Sequence, residues 1–141
     1  MKISKFVFAM FALSLAFAAC KKKPQAGYSL VKMNEPFELK MNQSVKLDAG
    51  DVRLTFVGVT EDSRCPEGVN CIQEGQVRVV LDGSADGAGM QKMEFAKKPS
   101  DKNLSKTLGK YKIQLMQVSP YPKQNKQIKP EDYVLKVVIR G

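Results

Sequence analysis

The sequence predicts an all-β fold, namely a single-domain antiparallel sandwich or small barrel of about seven or eight strands. Three observations lead to this prediction. Apolar and polar residues alternate in short runs from residue 28 onward. Glycine, proline, asparagine and aspartate separate these runs. No apolar pattern with helical spacing lasts for more than a turn or two, so the spacing of the runs is that of a sandwich or small barrel.

Seven runs of alternation define the expected strands. They cover residues 35–41, 44–47, 52–61, 76–82, 91–95, 108–118 and 132–140. The first two runs are expected to form a small hairpin around Asn42 and Gln43. The third is expected either to be buried on both faces or to carry a bulge near Gly58. Residues 82–89 are expected to form a turn-rich insert, and residues 119–130 an exposed connection.

Composition limits the classes of function that the chain could perform. The 141 residues suffice for one domain. Because the chain contains no histidine, it lacks the commonest general base and transition-metal ligand, and it cannot form a Ser-His-Asp or Cys-His arrangement. We therefore expect no enzymatic activity, no metal and no cofactor. An enzyme that uses carboxylates such as Asp62 and Glu74 ranks last among the functions considered.

The net charge of +9 is concentrated near the start of the chain. Of the 23 lysines and arginines, five precede residue 24, so residues 24–141 carry 18 basic and 14 acidic residues and a net charge of +4. A mildly basic domain does not require nucleic acid as a partner. The charge excess instead lies in the first 23 residues, the part of the chain that we expect to meet a membrane surface for the reasons given next.

Residues 1–19 have the features of a secretory signal peptide that is removed. Lys2 and Lys5 form a positive start, residues 6–17 are apolar apart from Ser14, and Ala18 and Ala19 follow. The apolar stretch is too short for a comfortable membrane span.

The segment FAAC at residues 17–20 resembles a bacterial lipobox, although Phe17 stands where leucine is usual. The resemblance implies that Cys20 becomes the lipidated first residue, carrying acyl chains such as palmitate in the cell envelope. Lys21, not aspartate, follows Cys20, which by the same resemblance implies the outer membrane, on its periplasmic or surface face. Residues 20–27 would then be a lipidated cysteine with a basic tether, and residues 28–141 the β domain. The alternative is an ordinary secreted protein.

Cys65 and Cys71 lie between two of the expected strands. In an oxidising compartment pairing is the default, and Pro66 and Gly68 provide the turn that a small ring needs. A ring of this size is expected to stabilise the fold by about 2 kcal/mol. A metal site would need more ligands, and a redox pair usually has C-x-x-C spacing, so a structural disulfide is favoured over both.

Residues 62–75, DSRCPEGVNCIQEG, resemble a motif of small secreted bacterial domains and lipoproteins. Gln73 stands where that motif usually has tryptophan. The resemblance implies an all-β domain with a disulfide, but it does not indicate any particular activity. The matching residues are Asp62, Ser63, Arg64, Cys65, Pro66, Val69, Cys71 and Gly75.

Two interpretations of the charged residues in this segment remain open. Asp62 and Arg64 are expected to form an exposed ion pair that braces the loop, whereas Arg64, Glu67 and Glu74 could form a recognition surface at the loop tip. The expected function is that of a lipid-anchored, non-catalytic binding or structural module whose partner is an envelope protein or glycan. The alternative is a protease-inhibitor-like module that presents the Cys65–Cys71 loop.

Overall fold

A computed structural model describes residues 27–141 and confirms the all-β class. The proposed signal peptide and Cys20 lie outside the described residues. A single turn of 3-10 helix, Pro130–Asp132, precedes the last strand. None of the helical segments in residues 27–141 is long and apolar enough to cross a membrane. The described strands are β1 (Tyr28–Val31), β2 (Pro36–Lys40), β3 (Ser44–Leu47), β4 (Val52–Asp62), β5 (Val77–Ala85), β6 (Gln91–Lys97), β7 (Leu104–Leu108), β8 (Tyr111–Ser119) and β9 (Val134–Arg140).

The strands form two sheets that pack face to face as a sandwich, not a closed barrel. One sheet has the order β1-β3-β4-β5-β6, and the other has the order β2-β9-β8-β7. Neighbouring strands are antiparallel, except that β1 runs parallel to β3.

The core lies between the inner faces of these sheets. Leu54 and Phe56 of β4 are fully buried, and so are Leu135 and Ile139 of β9. Alternate residues of a strand point to opposite faces, so the period-two pattern of the sequence places these side chains inward. The alternation predicted for both strands is confirmed.

Two strands escaped the sequence prediction because they lie at sheet edges. β1 and β7 each bury a single residue, Val31 and Leu108 respectively, and therefore show no apolar alternation. The predicted hairpin of residues 35–47 is wrong. β2 pairs with β9 in the second sheet, and the turn at Asn42, whose φ is 59°, carries the chain from one sheet to the other.

Two further boundaries differ from the sequence prediction. The segment predicted as a turn-rich insert begins as strand, since β5 continues to Ala85, and the turn is confined to the residues after it. The predicted strand 108–118 is confirmed from Tyr111 onward as β8, but its first residues form the corner of a hairpin, where a two-residue loop of Gly109 and Lys110 joins β7 to β8. Gly109 has a φ of 58°, which suits the first position of such a loop. The bulge predicted near Gly58 is confirmed.

The strand order brings two long connections together. Residues 63–76, which we call the cysteine loop, join β4 to β5 in the five-stranded sheet. Residues 120–133, which we call the β8–β9 connection, belong to the four-stranded sheet. The cysteine loop therefore contacts a segment of the opposite sheet, and the candidate site is built from both.

Candidate functional site

The predicted disulfide between Cys65 and Cys71 is formed, with the two Cα atoms 5.9 Å apart. Backbone hydrogen bonds extend the β4–β5 pairing into the base of the loop. The Ser63 N–H donates to the Gln76 carbonyl at 2.8 Å, and the Cys65 N–H donates to the Glu74 carbonyl at 3.0 Å. The ring thus projects from a short continuation of the sheet.

Arg64 is the buried centre of this region. Its side chain is 4% exposed, and that of Asp62 is 10% exposed. Arg64 donates from Nε to Asp62 Oδ1 at 2.7 Å and from Nη2 to Asp62 Oδ2 at 2.6 Å, which is the two-pronged geometry of the strongest arginine–carboxylate pairs.

The same guanidinium reaches across to the other sheet. Nη1 donates to the Val118 carbonyl and Nη2 to the Pro120 carbonyl, both at 2.9 Å. Four of the five N–H groups of Arg64 are therefore used, and the Tyr121 ring centroid lies 5.1 Å from the guanidinium carbon. Arg64 joins the cysteine loop to the β8–β9 connection.

Tyr133 completes the set that we call the Arg64 cluster, namely Asp62, Arg64 and Tyr133. Its hydroxyl donates to Asp62 Oδ2 at 2.9 Å. Burial, together with this hydrogen bond to the Asp62 carboxylate, raises the pKa of Tyr133 to about 12. The hydroxyl therefore stays protonated at neutral pH and serves as a fixed donor to the carboxylate.

A second set of contacts holds the outer part of the cysteine loop. The Glu67 N–H donates to the Pro122 carbonyl at 2.9 Å, and the Glu67 carboxylate lies 3.7 Å from Lys123 Nζ. The Glu74 carboxylate accepts from the Ser100 N–H at 3.1 Å and from its hydroxyl at 2.7 Å. These contacts connect the loop to its neighbours on both sides.

Gly75 closes the base of the loop and requires its glycine. Its φ is 67°, and a Cβ at this position would lie 1.8 Å from the Ser63 carbonyl oxygen. Any other residue would therefore push apart the two arms of the loop.

Two apolar side chains of the cysteine loop are exposed. Ile72 is fully solvent-exposed, and Val69 is 37% exposed. A polar cleft of about 630 Å³ lies beside the base of the loop, and its lining includes Glu61, Gln73 and Lys98. Gln73, which lines this cleft, directly follows the exposed Ile72 in sequence.

The structure separates the residues that were predicted to form one recognition surface. Glu67 and Glu74 are exposed, as expected for a surface. Arg64 is buried, so the prediction that it lies at the loop tip is wrong. The Asp62–Arg64 ion pair is confirmed, but the expectation that it is exposed is wrong as well. The guanidinium also donates to the Val118 and Pro120 carbonyls, which lie more than 50 residues away and carry no local signal.

The two carboxylates considered for an enzyme have separate partners. Asp62 is held by Arg64 and Tyr133, and Glu74 is held by Ser100. Within residues 27–141, no three acidic or cysteine side chains come together as a metal site. The geometry is therefore that of a braced, exposed loop.

Sequence reasoning missed the roles of Tyr133 and Ile72. Tyr133 falls within the predicted run 132–140 and is buried directly before β9, but nothing near it in sequence indicates its bond to Asp62. The Ile72 side chain could have been noticed as the one large aliphatic residue directly after the ring. Comparison with protein-family models, with curated proteins and with solved structures found no match.

Proposed function

We propose that this chain is a lipid-anchored protein of the bacterial cell envelope that acts as a non-catalytic binding module, with the cysteine loop as its recognition element. The proposed site of attachment is Cys20, in the outer membrane. The observation that carries the binding role is the full exposure of Ile72 on a loop whose base is fixed by the buried Arg64 cluster. A loop held in one shape loses little entropy on binding.

The lipobox-like sequence supports the proposed attachment. It combines a positive start, an apolar stretch and small residues directly before Cys20. Two or three acyl chains, at about 0.8 kcal/mol for each buried methylene, hold a protein durably on a bilayer. The test is metabolic labelling with radioactive palmitate. We expect label in the wild-type protein and none in Cys20→Ala, and equal labelling of the two would overturn the proposed attachment.

The chemistry of the loop favours a protein over a glycan as its partner. Ile72 and Val69 provide an apolar centre, and the exposed carboxylates of Glu67 and Glu74 lie to either side of them in sequence. Protein interfaces commonly have an apolar centre within a polar rim. The single exposed isoleucine would fill a small pocket of the partner.

A photocrosslinking experiment in intact envelopes tests this role. A benzophenone amino acid is placed at Ile72, and a matched control carries it at Met90, another exposed apolar residue, in the β5–β6 connection. We expect a discrete protein adduct from position 72 and none from position 90. Adducts of the same size from both positions, or from neither, would contradict the assignment of the loop as the recognition element.

A protease-inhibitor-like module is the second candidate, favoured by the combination of a disulfide ring with an exposed Ile72. In that case the chain should inhibit, at one-to-one stoichiometry, a protease that prefers branched aliphatic residues at its cleavage site. Ile72→Glu should abolish the inhibition, whereas Met90→Glu should leave it unchanged. Rapid cleavage of the loop without inhibition would eliminate this candidate.

A further inference from the structure

We propose that the outer face of the five-stranded sheet, at its β1 edge, rests on an anionic bilayer surface. The residues that form this face are Tyr28, Leu30, Lys46 and Arg53, which we call the β1 surface. The inference rests on the proposed lipid attachment at Cys20 and assigns to the domain a preferred orientation on the membrane.

Strand register places these side chains on one face. Leu30 pairs with Lys46, and Lys46 pairs with Arg53, across β1, β3 and β4. Tyr28 lies two residues before Leu30 and so points to the same side of β1. The guanidinium carbon of Arg53 is 5.2 Å from the Tyr28 ring centroid. Val31, which alternates with Leu30, is buried, so the β1 surface faces outward.

The composition of this surface fits a bilayer interface. Leu30 is 67% exposed and Tyr28 is 50% exposed, although both are large and apolar. Tyrosine is favoured at the level of lipid headgroups, and lysine and arginine are attracted to anionic lipids. Within residues 27–141, Lys46 and Arg53 form no ion pair, so both charges are available to lipid phosphates.

Two exposed carboxylates, Asp48 and Asp51, lie in the turn between β3 and β4, and neither forms an ion pair with Lys46 or Arg53. On the same face, one row of paired residues runs from Tyr28 on β1 across β3 and β4 to Asp82 on β5. Asp82 is the first carboxylate in this row, and it pairs in register with Lys92 of β6. The paired positions of β1, β3 and β4 at this edge therefore carry cations and apolar side chains but no carboxylate.

The length of chain before β1 keeps this edge close to the membrane. Eight residue steps separate Cys20 from Tyr28, and a chain of eight residues spans at most about 28 Å. A domain of this length has a radius of gyration of about 13 Å. Every orientation of the domain therefore holds Tyr28 within roughly one domain diameter of the acyl chains. Lys21, Lys22 and Lys23 would add their charge at the same headgroups.

The absence of tryptophan from the sequence provides a direct test. The lipidated protein is reconstituted in vesicles of phosphatidylglycerol and phosphatidylcholine that contain brominated lipids. Leu30→Trp introduces a single indole at the β1 surface, and Met90→Trp introduces one at a comparably exposed control position. We expect bromolipid quenching at least threefold stronger for Leu30→Trp, with a blue-shifted emission. Equal quenching of the two variants, or stronger quenching of Met90→Trp, would overturn the proposal.

Charge-removing variants test the lipid preference. Each cation near an anionic surface contributes about 1 kcal/mol, which corresponds to about a fivefold change in the ratio of docked to undocked domain. We expect Lys46→Gln with Arg53→Gln, in the Leu30→Trp background, to reduce quenching to the Met90→Trp level. Unchanged quenching would refute the charge contribution.

Palmitate labelling and flotation with the vesicles are measured on the same samples. If the protein is labelled and floats but the two tryptophan variants are quenched equally, the docking of the β1 surface is refuted and the attachment at Cys20 is not. An unlabelled protein would refute the attachment at Cys20, and with it the orientation that depends on this attachment.

Discussion

Replacing Arg64 by methionine should destabilise the protein by about 3–5 kcal/mol, the usual cost of removing one partner of a buried ion pair. Methionine fills a similar volume but removes four hydrogen bonds, two of them to the carbonyl groups of Val118 and Pro120. It also leaves the Asp62 carboxylate, which is 10% exposed, with the Tyr133 hydroxyl as its remaining side-chain partner. Because domains of this size are stable by roughly 5–15 kcal/mol, the loss would be a large part of the total.

Urea unfolding of the purified protein, followed by far-UV circular dichroism, measures this loss. Arg140→Met is the matched control, since Arg140 is exposed and bonds to Gln114 on the surface, and we expect its effect to be within about 0.5 kcal/mol. The double variant Asp62→Leu with Arg64→Met should be destabilised by less than the sum of the two single variants, by at least about 1 kcal/mol. If Arg64→Met costs less than about 1 kcal/mol, or if the two effects add, Arg64 is not the central support described here.

Three further perturbations follow from the same region. Tyr133→Phe should remove a pH dependence of the free energy of unfolding. Because the pKa of Tyr133 in the folded protein is raised from 10.0 to about 12, the stabilisation by its hydroxyl is fully present below pH 10 and is lost as the pH rises to about 12. Gly75→Ala should cost about 2 kcal/mol or more, whereas Gly68→Ala, also at positive φ but with open space around it, should cost only the backbone strain of about 1 kcal/mol. Serine at both ring cysteines should lower the free energy of unfolding by about 2 kcal/mol.

Each of these predictions has a clear contrary result. Urea titrations from pH 9 to 12 should show the wild-type advantage over Tyr133→Phe falling by about 2 kcal/mol, and a constant difference would contradict the raised pKa. Equal losses for the two glycine variants would contradict the contact of Gly75 with Ser63. A serine variant of the ring that matches the oxidised wild type in stability would show that the loop is already fixed by the Arg64 cluster.

The sequence indicated the fold class because most of the strands bury one complete face. In β4, Val52, Leu54 and Phe56 are all buried, and their alternation is plain in the sequence. β1 and β7 each bury a single residue at the end of the strand, so they lack this signal and were missed. The turn at Asn42 was recognised as a turn, but a hairpin and a crossing between sheets require the same kind of residue, and only the long-range pairing of β2 with β9 distinguishes them.

Gly83 shows a second limit of local reasoning. It was assigned to a turn because glycine and aspartate surround it, yet it lies within β5, where a Cβ would come within 2.8 Å of Leu108 and Met93. Glycine is present there to make room for side chains from other strands. The burial of Arg64 escaped prediction for a similar reason, since a charged residue in a polar loop is normally exposed and its carbonyl partners lie far along the chain.

The two means of fixing the cysteine loop require different lengths of the chain. The disulfide closes a ring between residues only six positions apart, so its formation needs only that short stretch. The Arg64 charge has no buried partners across the sandwich until Val118 and Pro120 have followed, and Asp62 has no tyrosine donor until Tyr133 arrives. The cysteine loop can therefore acquire its covalent ring before the rest of the domain is present, while its final orientation depends on the last quarter of the chain. A truncated product would carry an oxidised ring without the contacts that orient it.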